Sequence, residues 1–110
     1  MINNVTFNKL IRDNMYMNII NTGRMFIIRQ EGLESYLAYR LNGQELELYN
    51  AYVPEVQRGR GYASQLILYS IHFAVLHGFR IKANCPAAEA YIRRNPEWSY
   101  VLSELVQVQD

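Results

Sequence analysis

From Met25 onward the chain switches between two hydrophobic periods, and the order of those switches predicts its elements. Met25 to Gln30 is a short apolar and β-branched run that Gly32 breaks before another run begins, the pattern of strand, turn, strand. Leu33, Ser35, Leu37, Tyr39 and Leu41 then share one face, with Glu34, Tyr36, Ala38 and Arg40 on the other. Such period-two alternation predicts a half-buried strand. Asn42-Gly43 suits both positive-φ positions of a type I′ turn, and Glu45 to Val53 alternates again with Leu46 and Leu48 on one face. Pro54 ends this strand because it has no N–H to donate to a ladder.

Past Gly59 and Gly61 the period changes to that of a helix. Ala63, Leu66, Ile67, Ser70, Ile71 and Ala74 recur at spacings of three and four, and Gly78 stands where a left-handed C-terminal cap belongs. The expected helix begins near Tyr62 and has roughly four to five turns. Phe79, Ile81, Ala83 and Cys85 alternate with Arg80, Lys82 and Asn84 as a further strand, and Pro86 fits the first position of a short helix running to Arg93. Beyond Asn95-Pro96, the segment from Trp98 to Val108 is rich in valine, leucine and tyrosine and is expected to form a last strand.

The first 22 residues have no clean period, because Asn3, Asn4, Asn8, Asn14, Asn18 and Asn21 interrupt each pattern. Phe7, Leu10, Ile11, Met15 and Ile19 fit a loose helical stripe, so residues 1–22 are set apart as an extension and residues 23–110 as a single domain. With 110 residues the chain has room for one hydrophobic core. Eleven basic against ten acidic residues leave a formal charge of +1, so no global field draws the protein to nucleic acid or an anionic membrane, and any anion site must be local. A single cysteine forms no internal disulfide, and no apolar run approaches the roughly 20 residues that span a bilayer. The expected compartment is the cytoplasm and the expected state a monomer or weak dimer.

The local anion site is expected at Gln57-Arg58-Gly59-Arg60-Gly61-Tyr62-Ala63, between strand and helix. A helix N-terminus carries N–H groups without intrahelical partners and the positive end of the macrodipole. Glycines at 59 and 61 allow positive φ and close approach of backbone to phosphate, while Arg58 and Arg60 bring charge and forked donors. A plain strand-to-helix turn accounts for the spacing equally well. A Walker loop is excluded because no Gly-Lys precedes Ser or Thr. A dinucleotide fingerprint is disfavoured because Ser64 stands where glycine or alanine is needed and the preceding strand belongs to a hairpin.

These residues resemble the GNAT acetyltransferase superfamily, whose pyrophosphate loop reads Gln or Arg, two residues, Gly, one residue, Gly or Ala. Arg58-Gly59-Arg60-Gly61-Tyr62-Ala63 matches that pattern. The chain is also similar to a small single-domain branch in which Val-Pro leads into Arg-Gly-x-Gly and a cysteine ends the strand after the helix. Val53-Pro54, the glycine loop, Cys85 and Arg94-Asn95-Pro96-Glu97-Trp98 fall in that order. Members often carry His-Thr where this chain has Asn50-Ala51, a departure on the central strand and not in the loop.

The resemblance implies an α+β fold with a mixed, largely antiparallel sheet, one long central helix and one short helix. The sheet would splay at the end of the strand Glu45 to Val53 to admit the pantetheine arm of acetyl-CoA. Val53, Arg58, Gly59, Arg60, Gly61, Tyr62, Ala63 and Ser64 would then bind the coenzyme, and a backbone N–H near Val53 would stabilise the oxyanion.

Cys85 is the sharpest catalytic candidate, since a thiol at a helix N-terminus with Lys82 and Arg80 nearby in sequence is expected to have a lowered pKa. Burial on the apolar face of its strand is the competing role. Without it, Glu47 or a water chain would serve as base, and Tyr49, Tyr52 or Tyr91 as acid. His72 and His77 are read as structural and Trp98 as an anchor for the last strand. Two histidines and one cysteine without paired ligand spacing predict no metal. The leading expectation is acetyl transfer from acetyl-CoA to an amine acceptor, and the alternative is a non-catalytic module that holds acyl-CoA. A phosphate-binding surface for nucleic acid built on Arg58, Arg60, Arg93 and Arg94 fits the near-neutral charge poorly.

Overall fold

The computed structural model describes residues 18–103. Five strands form one sheet in sequence order: β1 (Ile19–Asn21), β2 (Met25–Gln30), β3 (Leu33–Asn42), β4 (Glu45–Tyr52) and β5 (Arg80–Ala83). The first four pair antiparallel, and β5 lies parallel to β4. Between β4 and β5 the chain crosses over through α1 (Tyr62–His77), and α2 (Pro86–Arg94) follows β5. This is the α+β architecture expected, with a largely antiparallel mixed sheet, one long helix and one short one.

The apolar stripe of α1 packs on the core-facing residues of the sheet. Leu66, Ile67, Ile71 and Ala74 are buried against Phe26, Ile28, Leu37, Leu46, Leu48 and Ile81. Stacked Phe26 and Tyr39 rings lie 4.5 Å apart between centroids and extend this core towards Phe73. Gly78 closes α1 at φ 73°, and its N–H returns to Ala74 and Val75 carbonyls, as a left-handed C-cap requires.

Three expectations change. Ile19 belongs to β1, paired with Ile28, rather than to a helical stripe, because its neighbours Asn21 and Thr22 form a turn into β2. Phe7, Leu10, Ile11 and Met15 lie outside the described residues. The β3–β4 hairpin turns one residue later than Asn42-Gly43. Asn42 pairs with Glu45, and only Gly43 has positive φ, at 61°. That register sets Leu41 opposite Leu46 and Arg40 opposite Glu47, giving an apolar pair and a 3.2 Å ion pair across the strands. Finally, Pro96–Val101 is a 3-10 helix and not a strand. Pro96 suits a first helical turn, Trp98 donates to the Asn95 carbonyl at 3.0 Å, and the chain then meets the sheet at the bridge of Leu102 to Ile81. The remainder of the segment expected to run to Val108 lies outside the described residues.

Pairing between β4 and β5 stops early. The last register pair is Leu48 with Ala83, and Asn84 donates one more bond to the Leu48 carbonyl at 2.9 Å. β4 continues to Tyr52, while β5 ends and Pro86 starts α2. From Tyr49 to Tyr52 the two strands have therefore parted, and the sheet opens at the end of β4 facing the start of α1.

Candidate functional site

The opening is built by the segment that joins β4 to α1. Pro54 breaks the ladder, and one 3-10 turn, Glu55–Gln57, carries the chain across the end of the sheet. Gly59 and Gly61 then take φ of 84° and 85°, which turn the chain into the helix. No atom lies within 4 Å of where a Cβ would stand on either glycine, so the backbone there faces open space. Gly61 is the N-cap of α1 and offers no side chain to its first amides, and no acidic residue occupies the first turn. Gln65 donates to Gly61 at 3.0 Å, so the N–H groups of Tyr62, Ala63 and Ser64 precede the first helical bond. These donors and the dipole of a 16-residue helix point at the same opening.

A cavity of about 310 Å³ occupies it, lined by Val53, Gln57, Arg58, Gly59, Gly61, Tyr62, Ala63 and Ser64. A second, of about 300 Å³, shares Val53, Arg58 and Ala63 and is completed by Ala51, Tyr52 and Ala87. The two adjoin, and together they run from the helix N-terminus to the gap between β4 and α2. Arg58 lines both, its Nε donating to the Val53 carbonyl at 3.0 Å. Gln57 is 1% exposed; its Nε2 donates to the Gln30 carbonyl at 2.9 Å, and its Oε1 is buried with no hydrogen-bond partner.

The structure thus brings together every residue expected to bind coenzyme except Arg60. That guanidinium turns away to Glu31, with Nη1 3.1 Å from Oε2, and does not line the cavity. The Tyr62 hydroxyl and the Glu31 carboxylate raise the Arg60 pKa, and the Arg60 hydrogen bond lowers that of Glu31. Glu31, Gln30 and Ala87 were not singled out as site residues from sequence. Only Glu31 left a trace there, as an acidic residue before Gly32 where a turn favours asparagine or glycine.

Cys85 sits at the strand-to-helix junction as expected, but its electrostatics differ. It is 6% exposed, and burial pushes its thiol pKa up, against weaker lowering by the Ala88 and Ala87 amides. The expectation of a lowered pKa fails because Arg80 and Lys82 lie on the exposed side of β5. Arg80 donates to the Tyr100 carbonyl at 2.6 Å, and Lys82 acts on Glu47. Cys85 lines neither cavity.

Among the other candidates, Glu47 accepts from Asn84 Nδ2 at 2.6 Å, which holds its carboxyl below the ordinary range and weakens it as a base. Tyr49 lies under the Arg40 guanidinium at 3.9 Å, and burial raises the Tyr91 pKa. Tyr52 alone of the three lines a cavity, and its ring sits 5.5 Å from that of Tyr36 across the strands. His72 is buried with its ring 5.5 Å from Trp98, and His77 packs on Phe73 and Phe79, so both serve packing. Among the described residues no group of three or more histidine, cysteine, aspartate or glutamate side chains is placed to hold a metal.

A mixed sheet that opens between two parallel strands, with a glycine loop and helix N-terminus at the opening, defines the class: a GNAT-like acetyltransferase fold. The family model for the GCN5-related N-acetyl-transferases matches residues 25–101, most of the described chain. The protein belongs to that family. Among curated proteins none matches the chain.

Proposed function

We propose that the protein transfers an acetyl group from acetyl-CoA to an amine acceptor. The observation that carries this reading is the cavity at the N-terminus of α1, where two positive-φ glycines, the uncapped amides of Tyr62, Ala63 and Ser64, and Arg58 converge. Loop amides and a guanidinium suit a pyrophosphate by charge and by hydrogen-bond donors. The adjoining cavity, walled by Ala51, Tyr52, Val53 and Ala87, suits a slender and weakly polar arm. Bound there, the coenzyme supplies an acetyl thioester to the amine.

The chain's own contribution is orientation and proton handling. The parted ends of β4 and α2 hold the reacting groups in line, which removes much of the entropic barrier. A backbone N–H at Val53 supports the developing oxyanion, and Tyr52 returns a proton to the departing thiolate. The acceptor attacks directly: its nitrogen bonds the acetyl carbon, the C–S bond breaks, and the proton that the nitrogen loses passes to a water chain. A second route would run through Cys85, against which burial raises the thiol pKa more than the Ala88 and Ala87 amides lower it.

Release of free coenzyme thiol in the presence of a panel of amines, with intact mass of the recovered protein, tests these readings for wild type and Cys85→Ala. Amine-dependent thiol release retained in Cys85→Ala establishes direct transfer. A stable acetyl adduct on wild type alone establishes the cysteine route. Binding without release leaves a passive acyl-CoA carrier.

A further inference from the structure

Arg58 and Arg60 are separated by one glycine, yet only Arg58 faces the cavity. Arg60 reaches instead to the β2–β3 turn, 29 residues away in sequence, where Glu31 meets it at 3.1 Å. The same turn receives Gln57, whose Nε2 bonds the Gln30 carbonyl at 2.9 Å and whose amide also acts on the Glu31 carboxylate. Both ends of the loop are therefore tied to one two-residue turn.

That turn is strained in a particular way. Gln30 pairs with Leu33, so Glu31 and Gly32 are its two central residues, and both have positive φ, 55° and 76°. Gly32 takes this conformation freely. Glu31 is the one non-glycine among the described residues with positive φ, and a β-carbon there is disfavoured. Asparagine or glycine would relieve the strain, but neither has a side chain that is both long enough and charged to hold Arg60.

We propose that the β2–β3 turn is a clasp for the phosphate loop. Glu31 and Arg60 are positioning residues: their pair, with the Gln57 anchor, holds Gly59 and Gly61 in the conformation that presents the loop amides, while Arg58 contacts the phosphates. This rests on the reading that the cavity takes the coenzyme pyrophosphate, and it gives Arg60, a free position of the sequence motif, a part distinct from that of Arg58.

Charge exchange separates the clasp from direct contact. In calorimetric titration with acetyl-CoA, Arg60→Glu should raise Kd about tenfold or more, and adding Glu31→Arg should return it to within about threefold of wild type, since the paired charges are restored. Direct phosphate contact by Arg60 predicts the reverse: a carboxylate at 60 repels the anion whatever stands at 31, and a double variant as weak as Arg60→Glu overturns the clasp. NMR order parameters of Gly59, Arg60 and Gly61 in the free protein give a readout independent of ligand. They should fall in Glu31→Gln and recover in the exchanged pair; unchanged values overturn the proposal. If wild type binds no acetyl-CoA, the reading of the cavity fails, while the order parameters still decide the clasp.

Discussion

Cys85 and His72 show how strongly burial decides what a titratable residue can do in so small a domain. Both are nearly inaccessible, and in each case burial disfavours the charged form. Iodoacetamide at about pH 7 should alkylate Cys85 about tenfold or more slowly than free cysteine, because the thiolate is the reactive species. Alkylation at the free-cysteine rate would show that the helix amides dominate over burial. For His72 the folded pKa lies below the unfolded value, so the unfolded chain takes up a proton first. The stability it contributes is fully present above the unfolded value of about 6.5 and is lost as pH falls through that value towards the folded pKa. The urea midpoint should therefore fall between about pH 7.5 and about pH 5.5, and His72→Gln should flatten that fall; an equal fall in the variant would assign it to other groups.

At the scale of elements, the helix and its entry loop set both stability and the site. Ile71 is fully buried under the sheet, and Ile71→Ala should cost about 2–5 kcal/mol in urea unfolding. Gly61→Ala meets open space but must hold φ at 85°, so it should cost about 1–2 kcal/mol through backbone strain alone. A loss near zero would mean that the loop has relaxed to negative φ. The hydrophobic period made β2 to β5 and both helices legible, because burial on one face of each fixes its pattern. The glycine loop was legible for a related reason, since positive φ at a helix start leaves few residue choices. Turn phase was not: Asn42-Gly43 and Gly43-Gln44 leave the same residues facing the core, and the choice falls to cross-strand pairs such as Arg40 with Glu47. Nor was the end of the domain, where Trp98 and Val101 are apolar because they pack beside α1 from a 3-10 helix and not because they alternate along a strand. The partner of Arg60 was hidden because it is a tertiary contact between segments far apart in the chain.

For the whole molecule, a formal charge of +1 gives no global pull on anions, and among the described residues the helix dipole, loop amides and Arg58 converge on one cavity. No helix among the described residues is long and apolar enough to cross a membrane. The parting of β4 from β5, the crossover through α1 and the return at Pro86 place that cavity and the adjoining one at one end of the sheet. The central claim is that this end of the sheet holds acetyl-CoA by its pyrophosphate. Calorimetric titration of wild type and Arg58→Ala with acetyl-CoA tests it most directly. The account predicts saturable one-to-one binding by wild type, weakened about tenfold or more in Arg58→Ala through loss of a charge-assisted contact. No binding by the folded wild type, or equal affinity in the two proteins, would contradict it.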